Sequence, residues 1–163
     1  MLHPAYLTDV AKAQDIQGLA PTMTFAQAAA ATVAVRSEEL FAHAEGVLDT
    51  EDIERVHAMR VATRRLRAVL EFYAPCFPKA PFKSVLGDVK ALADALGDRR
   101  DPDVQLAALD AFAAAAGPED RAGVAVLAAR VRAEQEQGNA GLAAALARAQ
   151  GSDLRGRLVR LTG

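Results

Sequence analysis

From Thr24 onward, apolar residues recur at helical spacing in segments fenced by glycine and proline, and no stretch alternates with period two between turn residues. That pattern restricts the chain to an all-α fold. Thr24 with Gln27 three residues on fits a capping box, and Phe25, Ala28, Ala29, Thr32, Val35, Leu40 and Phe41 mark a helix face up to Gly46. A second helix starts among Asp49, Glu51 and Asp52, whose charges suit a positive helix end, and runs to about Tyr73, where Pro75 and Pro78 stop it. A third opens at Pro81, carries Phe82, Val85, Leu86, Val89, Leu92 and Leu96, and ends at Gly97 as a left-handed cap. "DRRDPDV" then reads as a tight connection, with Asp101 capping a fourth helix and Pro102 at its first position. That helix continues through Leu106, Leu109 and Phe112 to Ala116, and Gly117 with Pro118 breaks it. A fifth runs over about 119–137 along Val124, Leu127 and Val131; Gly138 and Gly141 weaken the helical pattern up to Gln150, and "SDLRGRLVRL" forms a short basic helix. Five or six helices with short loops predict an antiparallel helical bundle over 22–163. Residues 1–21, with Pro4, Gly18 and Pro21, read as a linker, or as a short helix over about 8–16.

Composition agrees. Of 163 residues 52% are hydrophobic but only 5% aromatic, with alanine supplying much of the apolar count, which favours helices over sheets of branched residues. The length suffices to bury a core without staples. Cys76 is the one cysteine, so no intrachain disulfide forms. No apolar run reaches the roughly 18 residues of a membrane span, and the first residues lack the basic-then-apolar order of a signal peptide. A soluble cytoplasmic protein without membrane contact is expected.

The formal net charge is only -2, yet "RVHAMRVATRRLRAVLEFY" holds five arginines and a histidine before its first acid, Glu71. With His57 at zero on a helical wheel of about 100° per residue, Arg60, Arg64 and Arg67 fall at about 300°, 340° and 280°. Met59, Leu66, Leu70 and Tyr73 cluster at about 160–220° on another side, and Arg65, at about 80°, leaves the row. Like charges so spaced repel by about 0.2–0.5 kcal/mol per pair. Two readings stay open from charge alone: a solvated or internally paired face, with Glu38, Glu39, Asp88, Asp94 and Asp98 available as partners, or a site for a polyanion. Guanidinium groups fork onto phosphate oxygens, and Arg60 disfavours protonation of His57 unless an anion is bound.

At "VHAMRVATRRLRAVLEFYAPCF" followed by "LADALGDRRDPDV", the sequence resembles the CHAD family, the conserved histidine α-helical domain. The first motif stands here as His57, Arg60, Arg64, Arg65 and Arg67, and the second as Leu96, Gly97, Arg100, Asp101, Asp103 and Val104. The match covers about residues 24–116, with weaker helical agreement beyond. The resemblance implies a helical bundle that binds inorganic polyphosphate through a basic surface and associates with polyphosphate granules. It makes His57, Arg60, Arg64, Arg65 and Arg67 the first candidates, and Lys83, Lys90, Arg99 and Arg100 widen the positive surface if the third helix packs beside the second. Asp101 and Asp103 are expected to cap a helix or brace an arginine. Family members usually hold two pseudo-symmetric bundles, whereas one copy of the motif stands here. A single-repeat form or a half-domain is therefore implied, and a homodimer would rebuild the paired surface.

No cofactor or metal is expected: no phosphate-cradling loop and no metal-ligand cluster is present, and His3, His43 and His57 fall on different segments, against the chelation once suggested for the family. "EQEQG" lacks the lysine that completes the acidic signature of the triphosphate-hydrolysing domain fused to some members, so catalysis is not expected. The alternatives are an accessory module for a triphosphate-processing enzyme and binding of nucleic acid or another polyanion. Nucleic acid is disfavoured by the near-neutral charge and the scarcity of stacking aromatics.

Overall fold

The computed structural model describes residues 12–163, and among these every regular element is helical. The elements are α1 (Phe25–Ala42), α2 (Ile53–Phe72), a short 3-10 turn (Ala74–Cys76), α3 (Lys79–Ala115), α4 (Pro118–Gly151) and α5 (Leu154–Thr162). The capping box forms as expected, with the Gln27 amide donating to Thr24 Oγ1 at 3.2 Å and the Thr24 amide to Gln27 Oε1 at 2.9 Å. The Asp52 carboxylate caps nothing; it takes the Arg55 guanidinium at 2.8 Å instead. No helix covers residues 12–16, and the rest of the expected 8–16 helix lies outside the described residues.

α3 and α4 form a long antiparallel hairpin, α2 and α5 pack on it, and α1 packs on α2 and α5. Val33 and Leu40 of α1, Val56, Met59, Leu66 and Leu70 of α2, Val85, Val89, Leu92 and Leu96 of α3, and Leu142, Leu154 and Leu158 make one buried core. The expected core faces of α2 and α3 are those observed, apart from partly exposed Tyr73 and Leu86. Phe25 and Leu127 are corrections: each is about half exposed, Phe25 packing on the rings of Phe72 and Tyr73.

The expected break between Gly97 and Pro102 does not occur, nor the weakening at Gly138; α3 runs through the first and α4 through the second. Pro102 donates no hydrogen bond to the Asp98 carbonyl one turn back. That carbonyl lies against Gly138, where a Cβ would stand 2.9 Å from its oxygen and 3.0 Å from the Arg99 Cα. Glycine there lets the two backbones touch, so packing between the long helices keeps α3 continuous where its own ladder is interrupted.

Beyond the core, no side chain from Val104 to Leu127 is buried. This outer part of the hairpin exposes Val104, Phe112, Val126 and Leu127.

Candidate functional site

α2 and α3 are antiparallel neighbours, so the end of α2 lies beside Lys90 and its first turn beside Arg100. Lys90 Nζ is 3.0 Å from Glu71 Oε1, and Arg100 Nη2 is 4.0 Å from Glu54 Oε1. Between these points runs a groove of about 420 Å³. Arg60, Arg64 and Arg67 line one wall, and Ala93, Asp94, Gly97, Asp98 and Asp101 of α3 line the other. The helical wheel is thus realised: three guanidinium-bearing positions open onto one trough, while Met59, Leu66 and Leu70 of the same helix enter the core. Arg65 is half-buried and lies outside this lining.

Ion pairing separates Arg60 and Arg64 of α2 from the arginines of α5. Of the acids available to neutralise them, Glu38 holds Arg155, Glu39 holds Arg36, and Asp88 holds Arg157. Arg160 pairs with Asp153, which completes the internal neutralisation of α5. Arg67 Nε donates to Glu71 Oε1 at 3.2 Å within its own helix, and that carboxyl, shared first with Lys90 and then with Arg67, is held below the usual range. Arg60 and Arg64 make no ion pair or hydrogen bond among the described residues. The three aspartates across the groove face them without closing on them, a mixed lining that the sequence motif alone did not reveal. The spacing of Asp94, Asp98 and Asp101 by four and three residues was its signal, had α3 been read as continuous.

His57 sits one turn before Arg60, partly buried and outside the groove lining. Its pKa is pushed below the ordinary imidazole value, first by burial and then by Arg100, with Glu54 acting in the opposite sense and Arg60 contributing less. The direction is the expected one, but burial and a cation from α3 outweigh Arg60.

Lys83 is exposed on the same flank of α3 as Lys90, seven residues earlier, and so extends the basic line beyond Glu71. Arg100 is largely buried and outside the groove lining, with its Nη1 3.9 Å from Asp103 Oδ2 and its Nη2 turned to Glu54 of α2. Arg99 does not widen the positive surface: it is fully buried, ion-paired with Asp103, and its Nε donates to Asn139 Oδ1 at 3.2 Å. Neighbours on a continuous helix diverge by about 100°, so one arginine turns to α2 and the other to α4. Gln135 adds a 2.7 Å hydrogen bond to Asp103 Oδ1, and Asn139 Nδ2 donates to the Leu48 carbonyl before α2. Asp103 therefore braces an arginine, as expected, whereas Asp101 caps no helix and lines the groove.

Among the described residues no group of three or more histidines, cysteines, aspartates or glutamates is placed to hold a metal ion, and no helix is long and apolar enough to cross a membrane. His3 lies outside the described residues.

Fold and face define an all-helical bundle presenting a row of guanidinium groups in an open groove. The CHAD domain model matches residues 31–162, most of the chain, and the chain belongs to the CHAD family. The match extends past residue 116 through α4 and α5. No match was found among curated proteins or among solved structures.

Proposed function

We propose that this protein is a non-catalytic binding module for inorganic polyphosphate and that the α2–α3 groove, with His57 and Arg100 at one end and Lys83 and Lys90 at the other, receives the chain. Membership of the CHAD family supports phosphate-chain chemistry in general. The observation that carries the reading is the contrast between α5, whose arginines are each taken by a carboxylate, and Arg60 and Arg64, which have no such partner among the described residues. From His57 to Arg67 the row spans about 15 Å along the helix, so a linear polyanion meets successive cations and a single phosphate does not. Association with polyphosphate granules, in the cytoplasm, follows from such binding, and service as the docking module of a triphosphate-processing enzyme is compatible with the same face.

Affinity for long-chain polyphosphate is expected to fall about tenfold or more between 50 and 200 mM salt, as for a site that neutralises about three phosphates. Titration followed by calorimetry, with duplex DNA as competitor, checks this. Salt-insensitive binding, or displacement by an equal phosphate concentration of DNA, contradicts it.

The division 22–163 for the bundle and the homodimer belong to the same proposal. The outer α3–α4 hairpin supports the dimer: with Val104, Phe112, Val126 and Leu127 exposed, two hairpins packed face to face would make a four-helix core. Light scattering is expected to give twice the chain mass, and Phe112→Asp to return it to the monomer value. A wild-type chain that stays monomeric at high concentration contradicts the dimer.

A further inference from the structure

The first turns of α2 gather several charged groups around His57. Glu54 and Arg60 flank it on its own helix, and Arg100 crosses from α3 to lie 4.0 Å from Glu54. Arg100 is itself positioned from behind by Asp103, 3.9 Å away. Two cations thus oppose one carboxylate beside a partly buried imidazole. We propose that His57 is a proton-accepting ligand of the anion face: it stays neutral in the free protein and takes up one proton as a phosphate chain settles on Arg60 and Arg64. This rests on the function proposed above and adds its linkage to pH.

The physical reason is local. Burial and the two guanidinium groups together outweigh Glu54 and disfavour imidazolium while no phosphate is bound. A phosphate chain brings opposite charge to within the roughly 4–6 Å over which the charged form becomes the favoured one. Protonation also converts a ring with one N–H donor into one with two, each capable of a charge-assisted hydrogen bond to phosphate oxygen. Arg100 holds the ring neutral beforehand and then shares the ligand with it.

In the free protein the imidazole pKa is depressed relative to the unfolded chain. Its contribution to stability is therefore full above the ordinary imidazole value and is lost as pH falls from there through the depressed folded value. In the complex the pKa is raised, so the bound state holds more protons and affinity increases as pH falls across the window between the two values. A ligand must also reach. His57 and Arg64 are about 10 Å apart along the helix axis, so orthophosphate held at Arg64 leaves His57 untouched whereas an extended chain covers both.

The test is calorimetric titration of the full chain with long-chain polyphosphate at pH 7 in two buffers of different ionisation heat, repeated from pH 6 to 8. Long chains are used because their titrating end groups are few per site. Uptake approaching one proton per bound site is expected, with affinity rising by up to about tenfold per pH unit as pH falls through the window. His57→Gln is expected to lose both the uptake and the pH slope, and to lose more affinity at pH 6 than at pH 8. Binding without proton uptake, or equal uptake in His57→Gln, overturns the inference and leaves polyphosphate binding standing. No binding by the wild-type chain at any pH overturns the underlying function, and this inference with it.

Discussion

Replacing Arg60 and Arg64 together by alanine is expected to lower polyphosphate affinity by about a hundredfold or more while leaving the fold intact. Each side chain offers charge-assisted hydrogen bonds of about 1.5–3 kcal/mol to phosphate oxygen, and at about 1.4 kcal/mol per tenfold the pair accounts for at least two decades. Neither side chain makes a hydrogen bond or ion pair among the described residues, so removing them strands no carboxylate. Alanine also raises the helix propensity of α2 slightly. Thermal unfolding should therefore shift by only a few degrees while binding is lost, and the variant should show a shallower salt dependence for whatever binding survives. Retention of full affinity would mean that the groove between α2 and α3 is not where the chain sits. Control replacements at Arg155 and Arg160 should weaken binding far less, since both are engaged by carboxylates, Glu38 and Asp153.

Asp103→Ala is expected to act in the opposite way, on the fold first. Arg99 and Asp103 are both fully buried, and Asp103 also accepts from Gln135 while Arg99 donates to Asn139. Deleting the carboxylate leaves a guanidinium in the interior without its counter-charge, a change that costs about 3–5 kcal/mol in comparable buried pairs. For a chain of this size that corresponds to a fall in Tm of roughly 6–20 °C. Removing both partners, as Arg99→Met with Asp103→Leu, should recover much of the loss, because the penalty is the uncompensated charge rather than the pair's own strength. Denaturant unfolding of the wild-type chain and the two variants checks this. A single Asp103→Ala change that costs less than about 1 kcal/mol, the scale of an exposed pair, would contradict the buried network.

Much of this architecture was legible in the residues. The apolar lines of α2 and α3, the Thr24–Gln27 capping box and the proline stop after Tyr73 are local signals, and no distant contact overrides them. What the sequence hid was the continuity of the two long helices. Gly97 and Pro102 carry strong termination signals, and each would end a helix in isolation. Here the close contact of the Asp98–Arg99 backbone with Gly138, and the polar network between Arg99, Asp103, Gln135 and Asn139, hold α3 and α4 together across that point. Only the partner helix supplies those contacts, so no reading of one segment could include them. The same continuity decided the fate of the arginine pair: in a loop Arg99 and Arg100 could share a direction, but on a helix they part.

The candidate site was legible to a similar degree. The common face of His57, Arg60, Arg64 and Arg67 follows from helical geometry alone. Which acids answer which arginines depends on how α5 returns to pack against α1 and α3, placing Arg155 on Glu38 and Arg157 on Asp88. That long-range pairing removes those carboxylates from the vicinity of α2. Asp94 and Asp98 were among the acids expected near these arginines, whereas Asp101, read as a cap after a break in α3, lines the groove because that helix is continuous.

The most direct measurement is a crystal structure of the protein with a short polyphosphate bound. Phosphate oxygens are expected in the groove between α2 and α3, within hydrogen-bonding distance of the Arg60 and Arg64 guanidinium groups. A chain bound along α5, or a groove closed by Arg60 and Arg64 pairing with Asp94, Asp98 or Asp101, would contradict the proposed role.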